Sequence, residues 1–196
     1  GHETCSHGLR WVHQFSFTED RERAFIQKAI DSIKVTTGLR PLGWLSRYLH
    51  TDITRALLAE MGFEYHMDDF SDDTPHWDVV DTPKGPKPIV IVPYALDTND
   101  MKFWLAPGYT PEQWLDYAIA TFDQLYAEAD DGVPRLMSLG LHLRIIGRPG
   151  RIGALENFIS HVQSKPDVWC ASRLDIARAF SSSVPAPTSA TVMETK

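Results

Sequence analysis

The stretch PIVIVPYALDTND, Pro88 to Asp100, decides the fold class of this 196-residue chain. It opens with an apolar, β-branched run, which is the clearest strand signal in the sequence. It then becomes abruptly polar, so the strand is predicted to end near Tyr94 and to be followed by a loop. More strands and helices are predicted on both sides of it.

Predicted helices and strands alternate along the chain. The predicted helices cover 18–38, 51–62, 110–128, 153–165 and 172–180, and the predicted strands cover 2–7, 41–45, 63–67, 77–80, 135–143 and 168–172. The predicted N-caps are Thr18, Thr51 or Asp52, and Ser172, and TPEQ at 110–113 is a predicted capping box. This alternation is typical of a parallel α/β layer or barrel. Such folds carry their chemistry at the carboxyl ends of the strands, which indicates His7, the loop after Leu45, the run after Tyr94, and His142.

The composition indicates one globular domain with a sizeable core, since 43% of the residues are hydrophobic and 23% are charged. The formal charge of −7 argues against nucleic acid or an anionic membrane as the main partner. Cys5 and Cys170 are far apart and are expected to be reduced and buried, so the chain is expected to be cytoplasmic. Residues 1–180 form the predicted catalytic domain, and the Ser-, Pro- and Thr-rich residues 181–196 are expected to be disordered.

Three histidines, His2, His7 and His13, open the chain. Zinc on a strand-and-turn element is often held by two imidazoles four residues apart, together with a carboxylate from another strand. The fourth residue after His7 is Trp11, and His2 should point away from His7 because side chains alternate along a strand. The spacing therefore favours surface positions for His2 and His13 over a zinc cluster.

Two further places carry polar groups at predicted strand ends. The run Asp97–Asp100 fits either Asx-turn hydrogen bonding or a set of donors and acceptors for an amide-like ligand, and the residues alone leave both interpretations open. His142 ends an apolar stretch and is either a core histidine or a histidine at a barrel mouth. Arg144 and the turn GRPG that follow favour the mouth, where an imidazole could give a proton to a leaving nitrogen near neutral pH.

Several motifs together resemble a known superfamily. GHETCSHG before a helix, a Gly-Trp strand and LGLH at 139–142 resemble the polysaccharide deacetylases, the NodB homology domain of carbohydrate esterase family 4. HGLRW, LDTNDMKF and LHLRIIGRPGR, in this order, are similar to a narrower branch, the metal-independent allantoinases of uric acid catabolism. The resemblance covers nearly all of residues 1–180. It implies a deformed (β/α) barrel and a hydrolase of non-peptide carbon–nitrogen bonds that opens a cyclic amide ring.

The resemblance also implies roles for individual residues. His7 matches the first active-site histidine and would position water or contact the oxyanion, while His142 matches the general acid. Trp11 stands where the deacetylases have their second metal ligand, so no metal or other cofactor is implied. The substrate-binding residues implied by the resemblance are Trp11, Arg47, Asp97, Asn99 and Arg144.

The same family begins with a strand that ends in an aspartate, and that strand would lie before Gly1. The chain is therefore expected to be an N-terminally truncated member with an incomplete barrel and impaired activity. It is expected to form a homo-oligomer or to pair with the missing N-terminal part. The alternatives are a metal-dependent chitin or peptidoglycan deacetylase, which would hold zinc, and an inactive fragment or subunit that needs a partner.

Overall fold

A computed structural model describes residues 2–129 and 132–187 of the chain. These residues form two compact units, one from the described parts of Gly1–Pro93 and Ala171–Lys196 and the other from Tyr94–Cys170. The predicted catalytic domain, residues 1–180, thus divides into two units that are each described below. Most of the tail predicted at 181–196 lies outside the described residues, but 181–183 continue the last helix.

The first unit is built on a four-stranded sheet. Its strands are β1 (Gly43–Trp44), β2 (Tyr65–His66), β3 (His76–Thr82) and β4 (Gly85–Ile91), in the order β1-β2-β4-β3. β1, β2 and β4 run parallel, as the alternating pattern predicts, whereas β3 is antiparallel to β4. The hairpin between β3 and β4 closes tightly because Gly85 takes a φ of 102°, which residues with a side chain rarely adopt.

The prediction of a strand at 2–7 is wrong. The pairing there is reduced to one parallel bridge, in which Ser6 pairs with Trp44 through two backbone hydrogen bonds, to the Gly43 carbonyl and from the Leu45 N–H. Because β1 is only two residues long, it offers few backbone groups for a longer ladder. The bridge nevertheless brings the end of the opening segment beside the carboxyl end of β1.

Three helices pack on the sheet of the first unit: α1 (Glu19–Thr37), α2 (Thr54–Glu60) and α5 (Arg173–Ser183). The predicted caps of α1 and α5 are confirmed, since Thr18 accepts from the Arg21 N–H and Ser172 accepts from the Asp175 N–H. The core between helices and sheet contains Phe25, Ile26, Ala29, Ile30, Trp44, Leu57, Leu58, Ala59, Phe63, Ile89 and Ile91.

The N-cap predicted for α2 at Thr51 or Asp52 is wrong. The capping position is Ile53, which makes no side-chain cap. Thr51 uses its hydroxyl elsewhere, because it donates to the buried carboxylate of Glu22 at 2.8 Å. Glu22 also accepts hydrogen bonds from Gln14 and Thr54, so a buried hydrogen-bond network links the start of α2 to α1.

The second unit contains a 3-10 helix (Asp100–Phe103) and the helices α3 (Pro111–Glu128) and α4 (Pro149–Gln163). The capping box predicted at the start of α3 is confirmed, with Thr110 and Gln113 exchanging side-chain and backbone hydrogen bonds. The core of this unit contains Phe103, Trp114, Ala118, Phe122, Ile145, Ile146, Ala154 and Phe158. None of the described helices of either unit combines the length and the apolarity needed to cross a membrane.

The strands predicted at 135–143 and 168–172 are wrong, since the described part of the second unit contains no strand. The backbone of 135–143 bonds to loop groups instead of a ladder. The Ser138 carbonyl accepts from the Thr98 hydroxyl at 2.5 Å, and the Gly140 carbonyl accepts from the Asp100 N–H at 2.8 Å. These two carbonyls are thus satisfied by loop groups and not by a neighbouring strand.

Candidate active site

In the first unit, polar side chains from distant parts of the sequence converge on residues 45–53, here named the site loop, which joins β1 to α2. His7 contacts the carbonyl of Leu45, and Asp68 accepts from the backbone N–H of Ser46. The loop lies at the carboxyl end of β1, where the sequence predicts chemistry.

His7 is exposed and has a fixed ring orientation. Its Nδ1 lies 2.7 Å from the Leu45 carbonyl oxygen, which can only accept, so Nδ1 carries the proton and Nε2 keeps a lone pair. Gly8 follows it with a φ of 84°, and a Cβ at that position would lie 2.9 Å from the ring of Phe25. The His-Gly pair of the motif is therefore required by the turn as well as by any chemistry.

The structure brings together Trp11 and Arg47, two of the predicted substrate-binding residues. The guanidinium carbon of Arg47 lies 4.0 Å from the centre of the Trp11 ring, and Nη1 donates to the Trp11 carbonyl at 2.9 Å. Tyr48, at a φ of 69°, also faces this guanidinium at 4.8 Å. Trp11 remains 52% exposed, so the pair presents a flat, aromatic and cationic surface.

Sequence reasoning missed a second group at the site loop, formed by His50, His66 and Asp68. His66 and Asp68 are fully buried, with His66 Nε2 2.7 Å from Asp68 Oδ2. The rings of His50 and His66 meet edge to face, with centres 5.2 Å apart. The alternation of side chains could have paired His66 with Asp68, since both follow one face at the end of β2, but nothing local indicates His50.

The surroundings shift the pKa values of Asp68 and His50 downward, each for a different reason. Burial works to raise the pKa of Asp68, but hydrogen bonds from His66 and from Ser46 outweigh it and lower that pKa. Burial lowers the pKa of His50, and the neighbouring His66 and Arg55 lower it further. Asp68 therefore stays charged, and the His50 imidazole stays neutral at neutral pH.

Arg55 closes the group on the other side. Its Nε lies 3.3 Å from His66 Nδ1, and its two terminal nitrogens reach the carboxylates of Asp69 at 2.9 Å and Asp78 at 2.7 Å. Because Arg55 can only donate, His66 Nδ1 accepts and the proton of the ring lies on Nε2, facing Asp68. Burial works to raise the pKa of Asp69, but bonds from Ser71 and Arg55 outweigh it and lower that pKa to about 2.

In the second unit, His142 is paired with Asp100. His142 Nδ1 lies 2.6 Å from Asp100 Oδ1, while Asp100 Oδ2 accepts from the His142 N–H at 2.7 Å and the Ile146 N–H at 3.2 Å. Asp100 is fully buried, whereas the side chain of His142 is 27% exposed. A carboxylate bonded to Nδ1–H fixes the ring and leaves Nε2 for proton exchange. Asp100 belongs to the polar run singled out in the sequence, but its partner lies 42 residues away.

Asp97 and Asn99 are close to this pair in sequence but are engaged in local hydrogen bonds. Asp97 accepts from the Tyr117 hydroxyl at 2.8 Å. Asn99 caps the 3-10 helix by accepting from the Met101 N–H, and its amide donates to the Tyr94 hydroxyl at 2.8 Å. For Asn99 the Asx-turn interpretation therefore holds in this structure, and the predicted substrate-binding role of both residues stays a prediction.

Arg144 is exposed and borders a cavity of about 470 Å³ within the second unit. Its guanidinium carbon lies 5.8 Å from the centre of the Trp104 ring. Arg148 and Arg151 line the same cavity, so an anionic or strongly polar group is the ligand that this surface would accept. The predicted role of Arg144 in substrate binding stays a prediction.

Comparisons with known proteins find polysaccharide deacetylases and an allantoinase among the relatives of the chain. No family model matches the chain. It is 34% identical to a Schizosaccharomyces pombe protein provisionally named a polysaccharide deacetylase, over 94% of this chain and 62% of that protein. Among solved structures it resembles PuuE allantoinase, with 42% identity and a TM-score of 0.87 over 95% of this chain and 61% of that one. It also resembles a Pseudomonas aeruginosa PAO1 protein provisionally described as a polysaccharide deacetylase, with 43% identity and a TM-score of 0.86. This match covers 95% of this chain and 62% of that one.

The chain thus spans about three fifths of the length of these relatives. The solved structures confirm the predicted fold class, because the mixed α/β arrangement is consistent with part of a NodB-type barrel. Motif order, fold and identity over nearly the whole chain agree, and the chain belongs to the polysaccharide deacetylase superfamily.

Proposed function

We propose that the chain is part of a hydrolase that opens a cyclic amide of the hydantoin type, an allantoinase-like activity in purine catabolism. The observation that carries this proposal is the pairing of His142 with the buried carboxylate of Asp100. Such a pair supplies an oriented imidazole whose second nitrogen can exchange a proton with a substrate. Such a group supplies the proton that the leaving ring nitrogen needs, beside an activated water and donors to the developing oxyanion.

The reaction assigns His142 the role of general acid. Water adds to the ring carbonyl carbon, the bond from that carbon to the ring nitrogen breaks, and the nitrogen takes up a proton as it leaves. The adding water gives up one proton in this reaction, and His142, whose Nδ1–H is bonded to Asp100, returns one proton to the nitrogen from its protonated Nε2. A positioned acid of this kind contributes about 10²–10⁴ in rate.

For His7 the proposal favours water positioning over oxyanion contact. Its Nδ1–H is used by the Leu45 carbonyl, so Nε2 accepts hydrogen bonds in the neutral ring. A lone pair suits the hydrogen of an attacking water, whereas an oxyanion needs a donor. The surface formed by Trp11 and Arg47 would bind a flat, polar ring. Asp97, Asn99 and Arg144 remain proposed substrate contacts.

A metal-dependent polysaccharide deacetylase is the second candidate. It is supported by the two relatives provisionally described as polysaccharide deacetylases, at 34% and 43% identity. Removing an acetyl group from an amide nitrogen likewise requires a proton for the leaving nitrogen, so the same general acid would serve. Trp11 stands against it, because an indole supplies no metal ligand where that reaction needs one.

The proposal also covers the setting of the enzyme. We propose a cytoplasmic protein that works as a homo-oligomer or with the N-terminal part of the barrel, since the chain spans about three fifths of its relatives. A fragment without activity of its own is the remaining alternative, and the assay below separates it from both hydrolase candidates.

The test measures hydrolysis of allantoin and of an N-acetylated chitin oligomer, each with and without a chelator. It uses the chain itself and a chimera that joins the N-terminal segment of the Pseudomonas aeruginosa relative to it. Allantoin hydrolysis that ignores the chelator supports the proposal. Deacetylation that the chelator abolishes favours the second candidate. If both proteins are inactive on both substrates, both hydrolase candidates are overturned.

A further inference from the structure

The cluster of His50, His66 and Asp68 is not used by the proposed function. We propose that these three residues form a binding site for one transition-metal cation, with Zn²⁺ as the best match. Each residue offers one ligand atom, and all three atoms lie within 4.8 Å of one another. Two imidazoles and one carboxylate are a ligand set that binds Zn²⁺ and related cations through three protein contacts, leaving room for water.

An unpaired nitrogen points to a ligand at this place. His50 Nδ1 is buried and has no hydrogen-bond partner among the described residues. A buried polar nitrogen without a hydrogen-bond partner destabilises the fold. A cation bound there would satisfy it.

The surroundings of the cluster favour a cation. Both oxygens of Asp68 accept from the Ser46 N–H at 2.9 Å, which holds the carboxylate in place as outer partners do in metal sites. Asp68, Asp69 and Asp78 carry three negative charges around the single positive charge of Arg55. The local excess of negative charge is therefore available to a divalent ion.

Binding requires one proton to move. The proton on His66 Nε2, which now bonds to Asp68, must pass to Nδ1 so that Nε2 can face the cation. The contact from Arg55 Nε to Nδ1 is then lost, but it is long, at 3.3 Å, and the bonds of Arg55 to Asp69 and Asp78 do not depend on it. The proton moves from one ring nitrogen to the other, so the ring neither gains nor loses one.

The expected effect of binding is to tie the site loop to the carboxyl end of β2. His50 lies in that loop, whereas His66 and Asp68 lie at and just after β2. Because two of the three ligands are fully buried, the site is expected to act as a structural clamp. A cation that binds only the folded state raises its stability by mass action.

The test is a titration of the metal-free chain with Zn²⁺ and with Co²⁺, read by calorimetry, by the visible absorption of Co²⁺ and by the shift in Tm. The expected result is one cation per chain and a Tm that rises with its concentration. His50→Gln should weaken binding by about 100-fold or more, whereas His13→Gln, a change to an exposed histidine stacked on Tyr48 of the same loop, should leave it unchanged.

His7→Gln serves as the second control, because a metal held by the opening motif would depend on it. Absence of stoichiometric binding to the unmodified chain overturns the proposal. So does equal affinity in His50→Gln, or a loss of binding seen only in His7→Gln. Circular dichroism establishes that each variant is folded. Since none of these readouts measures turnover, the result stands apart from that of the hydrolysis assay.

Discussion

At the scale of single residues, two aspartate–histidine pairs among the described residues of the second unit have different surroundings. Asp100 is fully buried and holds His142 through Nδ1, whereas Asp123 is 43% exposed and holds His161 through Nε2 at 2.8 Å. The pair on α3 and α4 lies on the surface and joins two helices. Only the buried pair has the geometry of an oriented proton donor, so the two offer a matched comparison.

We predict that Asp100→Asn lowers hydrolysis by about 10²–10⁴, because an amide does not hold the Nδ1–H tautomer of His142. Asp123→Asn, the matched control, should keep full activity. Both rates are measured on allantoin with the active form of the protein, together with Tm. Equal losses in both variants, or full activity of Asp100→Asn, would contradict the assignment.

The two cysteines are predicted to differ in reactivity. Burial raises the pKa of the Cys5 thiol to about 11, so this thiol stays protonated, and poorly nucleophilic, until the pH approaches that value. Cys170 is exposed and Cys5 is half-buried, contrary to the expectation that both thiols are buried. A disulfide reagent at pH 7 should therefore modify one thiol quickly and the second only after unfolding. Fast modification of both thiols, or its persistence in Cys170→Ser, would be inconsistent with this structure.

At the scale of the elements, three of the four predicted helix caps are confirmed, because a cap depends mainly on neighbours in sequence; the cap of α2 is the exception. Thr18, Thr110 and Ser172 cap helices as predicted, each through a bond to a residue three positions on. The strand at 135–143 was not predicted correctly, because an apolar run does not reveal whether another strand lies beside it. His50 was missed for the same reason, since its partners are brought to it only by the fold.

The N-cap of α1 allows a test of the claim that helix starts depend on neighbouring residues. Thr18→Ala should lower the free energy of unfolding by about 1 kcal/mol, because the Arg21 N–H loses its acceptor. Thr36→Ala, on the exposed end of the same helix, should change it by less than about 0.5 kcal/mol. Urea unfolding measures both. A larger effect at Thr36 would mean that the cap does not determine the start of the helix.

At the scale of the whole molecule, one carboxylate joins parts of the first unit that are far apart in sequence. Glu3 accepts from the Tyr65 hydroxyl at 2.6 Å with one oxygen and from the Leu174 N–H at 2.9 Å with the other. It thus links the opening segment, β2 and the first turn of α5. Burial, followed by the neighbouring Cys5 and Glu3, raises the pKa of Tyr65, so its hydroxyl remains a donor.

We predict that Glu3→Ala lowers the free energy of unfolding by about 1–3 kcal/mol, because it leaves the buried Tyr65 hydroxyl without its acceptor. Glu156→Ala, on an exposed position of α4, is the control and should have little effect. Chemical unfolding followed by tryptophan fluorescence compares the two. If the variants were equally stable, the contact would contribute nothing to the fold.

The division of the chain into a discontinuous first unit and a continuous second unit has a consequence for biosynthesis. Domains commonly fold in the order in which they leave the ribosome. Here Arg173 donates to the Val92 carbonyl and the Leu174 N–H donates to Glu3. Both residues emerge only after all of Tyr94–Cys170 has been made. Of the two units, the one that begins first in translation is therefore completed last, and nascent chains stalled before α5 should contain a folded second unit and a first unit that lacks its last helix.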